Sequence, residues 1–212
     1  MKVKICGMRE AANILAVADF NPDFLGFIFY QKSARYAGET LDTELLRSLP
    51  ASICKVGVFV DAPLPELLAT TTHYSLDYVQ LHGHETPAYC QAVRAQGLRV
   101  IKAFAVDADF DFGILAAYAP ACELFLFDTK GKHPGGNGYA FDWRVLAKYH
   151  GSTPFLLSGG LGPDNVAELL RFHHPQLVGY DFNSLLETAP GVKDVEATAQ
   201  LLAHLHDQPA TH

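Results

Sequence analysis

Leu124-Phe125-Leu126-Phe127-Asp128 is a run of four apolar residues closed by a carboxylate. A strand with one face in water alternates apolar and polar side chains. This run has no polar face before its last residue, which fits a parallel strand covered on both sides. Comparable short runs stand at residues 3–6, 24–29, 54–60, 78–82, 99–106, 154–157 and 177–182. Segments with helical spacing follow them, at 10–19, 42–49, 65–73, 87–96, 112–119, 142–149, 164–173 and 194–206. Asp142 and Asp164 are placed as helix N-caps and Gly97 as a helix stop. Eight strand–helix units at roughly 25-residue intervals predict an α/β fold of the (β/α)8 TIM-barrel type, in a single domain. The barrel is expected over residues 1–207, with a polar tail at 208–212 that holds His212. His204 and His206 are grouped with that tail, and His173–His174 reads as an exposed helix end. A doubly wound open sheet is the competing arrangement. It would want G-x-G-x-x-G after the first strand, where Cys6-Gly7-Met8-Arg9 stands instead.

Composition narrows the function. The chain of 212 residues is 49% hydrophobic and 18% charged, with 9 Tyr and 14 Phe, which excludes a disordered chain. Its longest apolar runs, at 56–60 and 123–127, fall far short of the roughly 20 residues of a membrane helix, so no membrane partner is expected. Met1–Gly7 reads as a short strand meeting a glycine rather than a targeting segment, which makes a cytoplasmic location the expectation. With 16 Lys plus Arg against 23 Asp plus Glu, and no basic stretch, nucleic acid is not an expected partner. Cys6, Cys54, Cys90 and Cys122 lie far apart, with no CxxC pair. Neither a disulfide framework nor a metal site is expected. A small molecule is the expected partner, and monomer and homodimer both stay open.

In a (β/α)8 barrel, chemistry sits at the C-terminal ends of the strands and in the loops just beyond. Cys6 closes the first strand, whereas the other three cysteines read as small buried hydrophobes. Asp128 closes the sixth strand with no helix close behind it, which favours a functional role over a cap. Asp61, with a helix soon after it, reads as a cap. Glycines cluster at Gly135-Gly136-Asn137-Gly138 and at Ser158-Gly159-Gly160-Leu161-Gly162. The second cluster follows strand seven, and Asn183-Ser184 follows strand eight, where barrels commonly hold phosphate on backbone N–H groups. Arg35, His82 and Asp181 sit at or near strand ends and are substrate-binding candidates. Arg35 could pair with a carboxylate or be a surface cation, His82 could be a structural residue, and Asp181 could anchor a loop.

With these residues in view, the sequence resembles the phosphoribosylanthranilate isomerase family of tryptophan biosynthesis. The resemblance runs nearly end to end: Lys4-Ile5-Cys6-Gly7, Ser33-Ala34-Arg35-Tyr36, Val79-Gln80-Leu81-His82-Gly83, Phe127-Asp128-Thr129, Gly159-Gly160-Leu161 and Pro190-Gly191-Val192-Lys193-Asp194. It implies a general base at Cys6, a general acid at Asp128, an anthranilate-carboxylate contact at Arg35 and phosphate loops at Gly159–Gly160 and Asn183–Ser184. It also implies an Amadori rearrangement of phosphoribosylanthranilate without a cofactor. Cys6 and Asp128 would then face each other across the barrel mouth. The sequence departs from the family pattern at Arg9, at Ala34, and at Asn183-Ser184-Leu185 after Asp181-Phe182. Two other phosphate-binding barrels are the enzyme rivals. A ProFAR-type sugar isomerase would carry a pair of catalytic Asp residues, and indole-glycerol-phosphate synthase would carry strand-end lysines, for which only Lys102 is available. A catalytically idle barrel would have lost Cys6 or Asp128, and both are present.

Overall fold

The computed structural model describes residues 1–129 and 143–206. Eight parallel strands close into a barrel in sequence order: β1 (Lys2–Ile5), β2 (Phe24–Ile28), β3 (Cys54–Phe59), β4 (Tyr78–Leu81), β5 (Arg99–Val106), β6 (Leu124–Thr129), β7 (Phe155–Ser158) and β8 (Leu177–Phe182). β1 closes on β8 with Lys4 beside Asp181 and Ile5 beside Phe182. The open sheet is thereby excluded. The helices are α1 (Ala11–Ala18), α2 (Thr43–Ser48), α3 (Leu64–His73), α4 (Pro87–Ala95), α5 (Val166–Leu169) and α6 (Val195–His206).

The strand alternation splits the core in two. On β6, Leu124 and Leu126 point inward and join Phe24, Val56, Tyr78, Ile101, Ala103 and Leu156 in an apolar plug inside the barrel. Phe125 and Phe127 point outward into the larger core between barrel and helices. The run therefore lacks a polar face because it has no wet one.

Local chemistry fixes the helix ends where it is strong. Asp42 accepts from Glu44 N at the start of α2, and Thr86 accepts from Tyr89 N at the start of α4, with Pro87 in the first turn. Gly97, at φ +82, follows α4 as the expected stop. The second half of the barrel departs from the expected helices. Residues 112–119 and 142–149 give six-residue 3₁₀ helices, Phe112–Ala117 and Trp143–Lys148. The stretch 164–173 shrinks to a 3₁₀ turn, Pro163–Asn165, followed by the single turn of α5. Asp164 is inside that turn rather than capping it. Asn165 closes it, donating from Nδ2 to Gly160 O at 2.6 Å and accepting from Gly162 N at 3.0 Å. The cap expected at Asp142, the glycine cluster at 135–138 and the tail at 208–212 lie outside the described residues.

Three further readings change. His174 does not end a helix: its ring stacks on Tyr149 and its Nδ1 accepts from Gln176 N at 3.1 Å. His204 and His206 belong to α6. Asp61 is no cap either, because α3 has Pro63 at its N-cap, while the Asp61 carboxylate accepts from His84 N at 2.5 Å. A hairpin not foreseen from periodicity, β9 (Glu187–Ala189) with β10 (Val192–Lys193), follows β8, and β10 packs against α1. Asn13 ties the two, accepting from Lys193 N and donating to Lys193 O, each at 2.8 Å.

Candidate active site

Above the apolar plug, the inward positions turn polar. A cavity of about 220 Å³ opens at the C-terminal ends of the strands, lined by Cys6, Gln80, His82, Asp128, Ser158, Gly159, Gly160, Asp181, Asn183 and Ser184, with Ile28, Val58 and Leu161 as its apolar wall. The candidates from strands one, four, six, seven and eight are thus gathered in one place. Arg35 is not among the lining residues.

Cys6 stands one residue beyond β1, anchored by Cys6 N donating to Phe182 O at 2.8 Å, and is 4% exposed. Burial pushes its thiol up, and the Lys4 ammonium opposes that rise. Asp128, on β6, presents Oδ2 to His82 Nε2 at 3.4 Å. His82 Nδ1 lies 2.9 Å from Gln80 Nε2. Gln80 and Asp128 thus hold the imidazole at its two ring nitrogens. Gln80 and His82 reach the same cavity because they are two residues apart on one strand.

Asp181 does not anchor a loop. It lies between strands, accepting from Lys4 Nζ at 2.8 Å and from Ser158 Oγ at 3.1 Å. Lys4 is 0% exposed at its side chain, and burial, which alone would depress it, is outweighed by Asp181 and Cys6, which hold it above the ordinary lysine value. Lys102 faces the opposite way, outside the barrel, where it pairs with Glu85 at 3.2 Å and caps the carbonyls of Leu81, Gly83 and Ala103. It is not available as a strand-end catalytic lysine.

After β7, Gly159 and Gly160 take φ of +97 and +65, backbone that glycine alone adopts without strain, and both line the cavity. Just beyond the neighbouring β8, Asn183 Oδ1 accepts from Lys193 Nζ at 2.8 Å. Lys193 also reaches Glu187 at 2.7 Å, and Glu187 grips Arg35 through Nε at 2.8 Å and Nη2 at 2.6 Å. Arg35 Nη1 takes no part in that grip. Burial alone would raise the Glu187 carboxyl, but Arg35 and Lys193 hold it below the ordinary glutamate value.

Sequence reasoning missed Lys4, Gln80, Glu187 and Lys193. The first two carried a signal, since each precedes a strand-end candidate by two residues and so shares its face. The other two sit on the unforeseen hairpin.

The fold and the cavity at its mouth define a small-molecule enzyme of the (β/α)8-barrel class. Comparison with known proteins narrows this. A family model for N-(5′-phosphoribosyl)anthranilate isomerase matches residues 3–204. The chain therefore belongs to the N-(5′-phosphoribosyl)anthranilate isomerase family. An isomerase of that name from Phocaeicola vulgatus is 42% identical over 205 residues, covering 97% of this chain and 98% of its own. The crystal structure of phosphoribosylanthranilate isomerase from Thermotoga maritima superposes with a TM-score of 0.84 at 32% identity, covering 98% of this chain and 100% of that one. A further structure of such an enzyme, complexed with reduced 1-(o-carboxyphenylamino)-1-deoxyribulose 5-phosphate, gives a TM-score of 0.81 at 30% identity over 98% of this chain and 100% of that one. No helix among the described residues is long and apolar enough to cross a membrane.

Proposed function

We propose that Cys6 and Asp128 are the general base and general acid of this isomerase, working on a substrate held in the cavity they share. The reaction is the Amadori rearrangement of N-(5-phospho-β-D-ribosyl)anthranilate to 1-(2-carboxyphenylamino)-1-deoxy-D-ribulose 5-phosphate, a step of L-tryptophan biosynthesis. Asp128 gives its proton to the furanose oxygen as the C1′–O bond breaks, leaving an iminium between C1′ and the anthranilate nitrogen. Cys6 as thiolate then takes the C2′ proton. The C–H electron pair forms a C1′–C2′ double bond while the nitrogen recovers its lone pair. The resulting enolamine tautomerises to the ketone at C2′. The iminium makes the C2′ proton acidic, which lightens the demand on the thiolate.

The geometry supports a role for each remaining candidate. His82 Nε2 stands 3.4 Å from one oxygen of Asp128, which leaves the other to present the proton to the ring oxygen. Gly159, Gly160, Asn183 and Ser184 rim the cavity on one side, suited to the 5′-phosphate through backbone N–H groups. Arg35, outside the cavity lining but held by Glu187 close to Gly7 and Asn183, is the cation we assign to the anthranilate carboxylate. Both Asp181 oxygens are engaged by protein groups, so we assign it to the cavity floor and not to the substrate. Four free cysteines fit a reducing, cytoplasmic setting, which we infer as the place of work.

The observation that carries this reading is the single cavity lined by Cys6, Asp128 and the loops after β7 and β8. The test follows the fluorescence of phosphoribosylanthranilate generated in situ. Wild type turns it over, while Cys6→Ser and Asp128→Asn each lose activity by about 10²-fold or more. Full activity in either variant removes that residue from its role.

A further inference from the structure

Lys4 has no part in the scheme above, yet a fully buried ammonium is costly unless something holds it. It precedes Cys6 by two residues on β1, so both side chains face the barrel interior. One of its N–H groups goes to Asp181, whose other oxygen accepts from Ser158. Gly26 on β2 completes the enclosure. A Cβ there would stand 2.7 Å from Cys6 Sγ and 3.1 Å from Lys4 Nζ, so thiol and ammonium face the same bare glycine, close enough for the charge on one to act on the other.

We propose that Lys4 is a positioning residue that supplies the counter-charge for the Cys6 thiolate, its ammonium held in place by Asp181 and Ser158. The inference rests on Cys6 being the base. When the thiolate takes the C2′ proton, sulfur passes from anion to neutral thiol, and Lys4 keeps its own proton because Asp181 remains its partner. Other charged groups reach the thiol from every side. Lys193 approaches from β10 and Arg35 from the loop after β2, both already engaged by Glu187. Asp181 approaches from β8 and adds to the rise caused by burial, while His82 and Asp128 share the cavity. Among the cations, Lys4 alone shares the thiol's inward strand face and has an inward carboxylate to keep it charged.

The test is a pH titration of Cys6 in the full chain labelled with 13Cβ-cysteine, from about pH 6 to about pH 11, bracketing the free thiol value of about 8.5. The Cys6 resonance is assigned by its loss in Cys6→Ser. Lys4→Met moves the midpoint up by about 1–3 pH units, or past the upper end of the range, the shift expected when an opposite charge at close range is removed. That variant also leaves Asp181 unpaired against the thiol. The double variant Lys4→Met/Asp181→Asn removes both charges, leaves no lone buried carboxylate to disrupt folding, and still shifts the midpoint upward, though less. An unmoved midpoint in the double variant overturns the proposal, as does thermal destabilisation without a shift or a wild-type thiol that never titrates in that range. The isomerase assay is read separately. The expected shift in a protein with no turnover strikes the functional reading and leaves the charge pairing intact, whereas turnover without a shift does the reverse.

Discussion

Gly26→Ala adds one methyl at a place where the backbone needs no special conformation, since Gly26 is not among the glycines with positive φ. Any effect must therefore come from space. The new Cβ would lie 2.7 Å from Cys6 Sγ, 3.1 Å from Cys6 Cα and 3.1 Å from Lys4 Nζ. Carbon–heavy-atom contacts settle near ~3.5–4.0 Å, so the sulfur has to retreat by about 1 Å, and the Cys6 backbone by a few tenths. Met8 N donates to Gly26 O at 2.9 Å, which ties the strand to the turn after Cys6 and restricts how far the two can part. Overpacking of this kind costs about 1–3 kcal/mol. At this chain length each kcal/mol lowers Tm by about 2–4 °C. The larger effect is on catalysis, because a displacement of about 1 Å in a reacting group costs on the order of 10²-fold. Calorimetry and kcat/KM for phosphoribosylanthranilate, measured on the same preparation, give both numbers. A variant with lowered Tm and kcat/KM within about threefold of wild type would refute the placement of the sulfur, since the ~10²-fold positional loss would be missing. Wild-type values for both would refute the contact itself.

Two further outcomes follow from groups outside the catalytic pair. Lys102→Met leaves Glu85 buried without its cation and should cost about 3–5 kcal/mol in denaturant unfolding, yet leave the pH profile of kcat/KM unchanged because Lys102 faces away from the cavity. Glu187→Gln breaks the grip on Arg35 and Lys193, at a cost of about 3–5 kcal/mol at pH 7. The folded Glu187 carboxyl is held below its ordinary value, so its contribution is present above the unfolded value of about 4.3 and lost as pH falls through the lower folded one. The stability gap between wild type and this variant should therefore close on acidification, and a gap constant from pH 7 to about pH 3 would contradict the pairing.

The barrel was legible in the sequence because its signal is redundant. Eight apolar runs at regular spacing survive an error of one or two residues at any end, and β5 and β8 fall on the expected bounds. Helix content was less legible after β5. There the periodicity was real but the segments were short, and a side chain such as Asn165 could pull the turn into 3₁₀ geometry. The catalytic candidates were readable as polar residues that end apolar runs. Lys4 was hidden because it lies inside such a run, where a charge looks like noise until Asp181 is found beside it in the β1–β8 register. Glu187 and Lys193 were hidden for a different reason: a hairpin of three and two residues leaves no period to detect.

The apolar plug of Phe24, Val56, Tyr78, Ile101, Leu124, Leu126 and Leu156 makes the molecule a cup with a solid base rather than a pipe. Whatever enters past the rim must leave by the same doorway. Substrate and product then take turns at one opening, and a rearranged sugar that lingers there obstructs its own successor. With the proposed phosphate site at that rim, release of product and entry of substrate share one opening.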